Sequence, residues 1–122
     1  MKKKVMISMP MKGKTEEQIK SERSEIIQKY LLSDGYEVVN TLFKEFVSKN
    51  TPVKYLSKSI EALAEIDCVY FAPGWEKARG CLIEYLVCKY YGIEIVNADE
   101  ALAYLVRHYD KQVLSIINAE WN

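Results

Sequence analysis

Apolar residues recur along the chain with two alternating periods, and the alternation predicts the architecture. Residues 3–8, Lys-Lys-Val-Met-Ile-Ser, read as a short buried strand after a basic lead-in. Pro10 and Gly13 break it, so residues 9–14 form a turn. Thr15-Glu16-Glu17-Gln18 has the form of a capping box: the Thr hydroxyl takes the amide of the third helical residue and Gln18 reaches back. The two glutamates suit the positive end of a helix. Ile19, Ile26, Ile27, Tyr30 and Leu31 continue at helical spacing, and Asp34-Gly35 ends the run with glycine in the left-handed position after the helix.

Residues 36–40 read as a second strand. Residues 42–50 carry no clear period and are read as a short helix lining a cleft. Thr51-Pro52 places a capping residue and a first-turn proline ahead of Leu56, Ile60, Leu63 and Ile66 at helical spacing. Residues 67–72 are apolar after Asp67, the pattern of a strand buried on both faces of a parallel sheet. Pro73-Gly74-Trp75 stops that strand, and a helix follows over 78–91, ended by Gly92. A fourth strand at 93–96 and a helix over 98–119, broken near Asp110, complete the chain. Strands alternating with helices predict right-handed βαβ units and a mostly parallel, doubly wound sheet. Ligands then bind at the carboxyl ends of the strands, in the loops at 9–14, 40–43 and 73–77.

Composition narrows the function. At 122 residues, 49% apolar and 28% charged, the chain is one domain with its own core, without linker, repeat or low-complexity segment. Lys plus Arg and Asp plus Glu both number 17, so the basic footprint of a nucleic-acid binder is missing. There is no apolar run long enough for a transmembrane helix, and the segment after Met1-Lys2-Lys3-Lys4 is too short for a signal peptide. Three cysteines without a CxxC pair suit reduced thiols in a cytoplasm. With His108 alone, a histidine-based metal site or a Ser-His-Asp hydrolase is disfavoured; a surface histidine is the expectation.

Four groups of residues bear on chemistry. The first is Pro73-Gly74-Trp75-Glu76-Lys77-Ala78-Arg79-Gly80 with Glu84, where amides at a helix start can hold an anion. Glu84 is the odd residue in Cys81-Leu82-Ile83-Glu84-Tyr85-Leu86-Val87-Cys88, sharing a helical face with Gly80, Cys81, Val87 and Cys88. A carboxylate there is costly unless paired or functional. The simpler account places it at a subunit edge or pairs it with Arg79 or Lys77. The second group is Ser8-Met9-Pro10-Met11-Lys12-Gly13-Lys14, two lysines flanking a glycine before a helix. It lacks the spacing of a Walker loop or a dinucleotide fingerprint, and a solvated basic turn is the simpler reading. The third is Cys68, Cys81 and Cys88, best read as small packing residues. The fourth is the 78–91 helix itself, apolar all round, with Leu82, Ile83 and Leu86 opposite Glu84. Such a helix is covered on both sides, which predicts a homo-oligomer built on it.

Two of these segments resemble a known family. Ile7-Ser8-Met9-Pro10-Met11 resembles the strand-one motif of nucleoside 2-deoxyribosyltransferase-like proteins. Asp67-Cys68-Val69-Tyr70-Phe71-Ala72-Pro73-Gly74-Trp75-Glu76, then Arg79-Gly80 and Glu84, resembles the DUF4406 branch, common in bacteria and phages, over about residues 3–97. The resemblance implies a flavodoxin-like or Rossmann-like sheet of four to five strands and oligomeric subunits in the cytoplasm of a bacterial or phage-infected cell. It implies cleavage or transfer at the N-glycosidic bond of a nucleoside or nucleotide, with Glu84 as nucleophile on C1′ and a retaining, two-step course. Ser8, Met9, Gly74 and Trp75 would line the sugar and base, with Pro10, Gly13, Pro73 and Gly80 among the substrate-binding residues. Lys12, Lys14 and Arg79 would take a 5′-phosphate. Ser59 stands where the transferases carry an aspartate that handles the departing base; a hydroxyl can bond a base but not protonate it. Asp67 is expected to organise a strand start. The alternative is a nucleotide-binding or signal-sensing module that does not cleave. No metal, redox cofactor, nucleic-acid polymer or membrane partner is implied.

Overall fold

Successive residues of the first strand face opposite sides, so each side of the sheet needs its own cover. The computed structural model describes residues 2–31, 35–39 and 51–109. Four parallel strands, β1 (Lys4–Ser8), β2 (Glu37–Val38), β3 (Cys68–Phe71) and β4 (Glu94–Ile95), lie in the order β2-β1-β3-β4. That is the order of a doubly wound, flavodoxin-like sheet. Ser8 stands level with Phe71 at the carboxyl ends of the two central strands.

Helix α1 (Glu16–Ile26) starts with both capping-box bonds: the Gln18 amide donates to Thr15 Oγ1 at 3.1 Å, and the Thr15 amide to Gln18 Oε1 at 2.8 Å. A wide turn over Ile27–Leu31 extends it. Its apolar side meets Val5, Ile7, Met9, Cys68, Tyr70 and Ala72 on one face of the sheet. Helices α2 (Thr51–Leu63), α3 (Arg79–Tyr91) and α4 (Ala98–His108) join Met6, Val69 and Phe71 on the other. The period-two alternation along β1 and β3 thus feeds two cores. Helix α2 includes Thr51, the predicted cap, so it starts one position before the predicted first helical residue, Pro52. Gly92 closes α3 in the left-handed conformation, φ 69°, as predicted.

Two side chains tie the strands together. Asp67 accepts the Lys4 amide at 2.7 Å, bracing the starts of β1 and β3, the role expected of it. Asn97 acts at the other end. Its Oδ1 accepts the Phe71 amide at 3.0 Å, and its Nδ2 donates to the Phe71 carbonyl at 2.8 Å. The side chain thereby extends the sheet past β4, which has only two residues where four were predicted. Asn97→Ala orphans both backbone groups and is expected to cost about 1–3 kcal/mol in urea unfolding. A loss below a few tenths would show that water replaces the amide. The short helix read at 42–50, the helix end at Asp34, the 40–43 loop, the break near Asp110 and the rest of the C-terminal helical segment lie outside the described residues.

No helix of the described residues is long and apolar enough to cross a membrane. Helix α3 buries Cys81, Glu84, Tyr85 and Cys88 and exposes Ile83, Leu86 and Tyr90. His108 is exposed, with its ring edge-on to Tyr109.

Candidate functional site

The strand order places a switch point between β1 and β3, the position at which sheets of this kind bind ligands. The Ala72 amide donates to the Ser8 carbonyl at 2.9 Å, which holds the two strand ends side by side. Beyond them the 9–14 and 73–78 loops meet. A Cβ built on Gly74 would lie 3.5 Å from Pro10 Cγ, and Gly74 has φ +88°, which a side chain would strain. A single 3-10 turn, Trp75–Lys77, then leads into α3.

Trp75 anchors this loop from beneath. It is 0% exposed, with ring centroids 5.1 Å from Phe71 and 4.5 Å from Tyr85. Phe71 and Tyr85 meet edge-on at 5.4 Å, closing an aromatic triad. The ring expected to line a substrate pocket is therefore enclosed in the core, and what it supports is the loop.

Helix α3 brings Glu84 back over the end of β1. Ser8 Oγ donates to Glu84 Oε1 at 3.4 Å, between residues 76 positions apart. Glu84 is 7% exposed. Burial pushes its carboxyl up to about 7, and the Ser8 bond pulls the other way. The partner the fold supplies is thus Ser8, not Arg79 or Lys77, both of which are exposed. A carboxyl near 7 holds both protonation states at neutral pH, a range suited to acid–base or nucleophilic work.

Cys81 sits in the same cluster. Burial raises its thiol to about 12; its contact with Ser8 lowers it, Glu84 and Glu76 raise it, and Lys14 lowers it. Burial likewise raises Cys68 to about 11 and Cys88 to about 12. All three are held as thiols, in keeping with packing roles.

The other expected site residues scatter more widely. Met9 is buried in the core on the α1 side, and Pro10 is half-buried against Gly74. Lys14 pairs with Glu22 at 2.7 Å and is half-buried. Lys12, Gly13, Pro73 and Arg79 are exposed at the rim. Gly80 faces α2, its built Cβ 3.9 Å from Leu56 Cδ1, and Ser59 is half-buried on α2. Sequence reasoning gave no role to Glu76 or Asn97. Glu76 is 5% exposed, and its Oε2 has no hydrogen-bond partner among the described residues. In sequence it is one glutamate in a polar loop, with no periodic signal to mark it as buried. No group of three or more His, Cys, Asp or Glu among the described residues is placed to hold a metal ion.

A family model described as a domain of unknown function, DUF4406, matches residues 3–97, and the chain belongs to that family. No curated protein and no solved structure matches it.

Proposed function

We propose that this DUF4406 domain cleaves or transfers the N-glycosidic bond of a nucleoside or nucleotide, with Glu84 attacking C1′ of the sugar. The observation that carries the reading is the buried Ser8–Glu84 contact at the switch point. The substrate class comes from the resemblance of the two loop motifs to nucleoside 2-deoxyribosyltransferase-like proteins. In the first step a Glu84 oxygen bonds C1′ while the C1′–N bond breaks; its electron pair leaves with the base, which takes a proton from solvent water. In the second, water or another base attacks C1′ and gives up a proton to solvent, the ester bond breaks, and the carboxylate is restored. The low-dielectric surroundings strengthen attraction between the carboxylate and the positive charge that develops on the sugar. Ser8 keeps one oxygen oriented. Lys12 and Arg79, exposed at the rim, suit a 5′-phosphate better than Lys14, whose charge Glu22 already engages. A homo-oligomer built on the exposed Ile83, Leu86 and Tyr90 face belongs to the same proposal.

Ser59 favours a second reading, binding without cleavage, because its hydroxyl cannot protonate a departing base. Product chromatography separates the two. Each common nucleoside and nucleotide is incubated with the protein, with and without a second free base, beside Glu84→Ala. Free base from one substrate, lost in the variant, is the expected result. A new nucleoside formed only with added base identifies transfer. Binding with no product from any substrate would overturn the enzymatic reading in favour of the sensor.

A further inference from the structure

Alternation along β1 sends Val5, Ile7 and Met9 to the α1 side of the sheet and Met6 to the side of α3. Ser8 follows Met6 by two positions and faces the same way. It ends β1 level with Phe71, is 2% exposed, and has its carbonyl held by the Ala72 amide. The sheet, not a loop, therefore fixes where its hydroxyl stands. That hydroxyl donates to Glu84 Oε1 across a buried contact. Cys81 and Cys88, buried on the same helix as Glu84, are held as thiols, so neither adds a charge beside the carboxylate.

The Ser8 bond changes strength during the proposed reaction. Glu84 begins as a carboxylate, becomes an ester and returns to a carboxylate. A hydroxyl bonds an anionic oxygen more strongly than the carbonyl oxygen of an ester. The bond therefore weakens as Glu84 attacks and strengthens as the ester breaks. At 3.4 Å it is long for a hydroxyl–carboxylate contact, and contacts of this kind tighten as the reaction proceeds.

We propose that Ser8 is a positioning residue for the second step: it holds Oε1 of Glu84, leaves Oε2 to carry the sugar, and stabilises the carboxylate released when the glycosyl ester breaks. This assignment rests on the nucleoside reading and adds to it which of the two steps Ser8 serves. In that step water or a second base bonds C1′ and gives up a proton to solvent. The C1′–Oε2 bond breaks, and its electron pair returns to the carboxylate, shared between Oε2 and the Ser8-bonded Oε1. The Ser8 hydroxyl keeps its own proton throughout.

The test follows base release and sugar release separately, by quenched flow, in the native protein, Ser8→Ala and Ser8→Thr. The substrates are the ribo- and 2′-deoxyribonucleoside 5′-monophosphates of the common bases, each taken singly. Ser8→Ala is expected to release about one equivalent of base per site in a burst and then to break down its glycosyl-enzyme about 10- to 100-fold more slowly than the native protein. Intact mass spectrometry during turnover should show the sugar adduct accumulating. The alanine variant should also move the acid limb of kcat/KM upward from about 7, because the Ser8 bond that pulls the Glu84 carboxyl down is gone. Ser8→Thr, which keeps the hydroxyl, should restore sugar release to within about 10-fold of native. Equal slowing of base and sugar release in Ser8→Ala, with no adduct and an unmoved pH limb, would overturn the role of Ser8 and leave Glu84 as the nucleophile. Native protein that releases base from none of the panel would instead overturn the nucleoside reading, and the role of Ser8 with it.

Discussion

Glu84→Gln is expected to abolish turnover, by at least about 10³-fold in kcat, while the protein stays folded. The amide matches the carboxylate in size and can still accept from Ser8, but it cannot form the glycosyl ester. The pH dependence gives a second, opposed pair of expectations. Burial raises the Glu84 carboxyl from 4.5 to about 7. The nucleophile must be ionised, so kcat/KM should rise with pH through about 7 and level off above it. Stability runs the other way. Between 4.5 and about 7 the folded state holds a proton that the unfolded chain has released, so stability falls as pH rises through that window and flattens above it. The full loss is on the order of 3 kcal/mol. Glu84→Gln should erase this slope and melt higher than the native protein above pH 7. Melting curves across that range, set beside the pH–rate profile, check both signs. Native turnover in the variant would remove Glu84 from the chemistry. A flat stability profile would mean that water reaches the carboxyl.

The largest effect on stability is expected from Trp75→Ala. The indole is fully enclosed and contacts both Phe71 and Tyr85. Its removal opens a cavity between β3 and α3 and should cost about 3–5 kcal/mol. Against a typical stability of about 5–15 kcal/mol, that is a large share of the total. Trp75→Phe should cost less, since it keeps a ring in the triad and removes the unpartnered Nε1–H. Urea unfolding followed by far-ultraviolet circular dichroism gives both values. A loss below about 1 kcal/mol for the alanine variant would show that the loop is not anchored by this ring.

The elements were legible where the signal was local. Thr15 and Gln18 announced the start of α1, Gly92 announced the end of α3, and the apolar run after Asp67 announced β3. Glu84 was visible as a lone carboxylate among apolar neighbours on a helix. Its partner was not, because Ser8 is 76 positions away and looks like any strand-end serine. Trp75 was misjudged for a related reason. An indole in a Gly-bounded loop looks available to a ligand, and only the packing of Phe71 and Tyr85 around it puts it in the core. Asn97 lies between the strand predicted at 93–96 and the helix predicted from 98, and no local signal marks its amide as completing the sheet beside Phe71.

The sequence by itself determined the alternation of strands and helices, the turns between them, and which carboxylate stands on an otherwise apolar helix. Those features depend on residues within a few positions of one another: a cap bonds the next turn, and a period repeats along one segment. The tertiary structure alone decided that Ser8 meets Glu84 and that Glu76 is buried with an unpartnered oxygen. The desolvation of a polar group is set by whatever packs across from it, and that neighbour comes from a distant part of the chain.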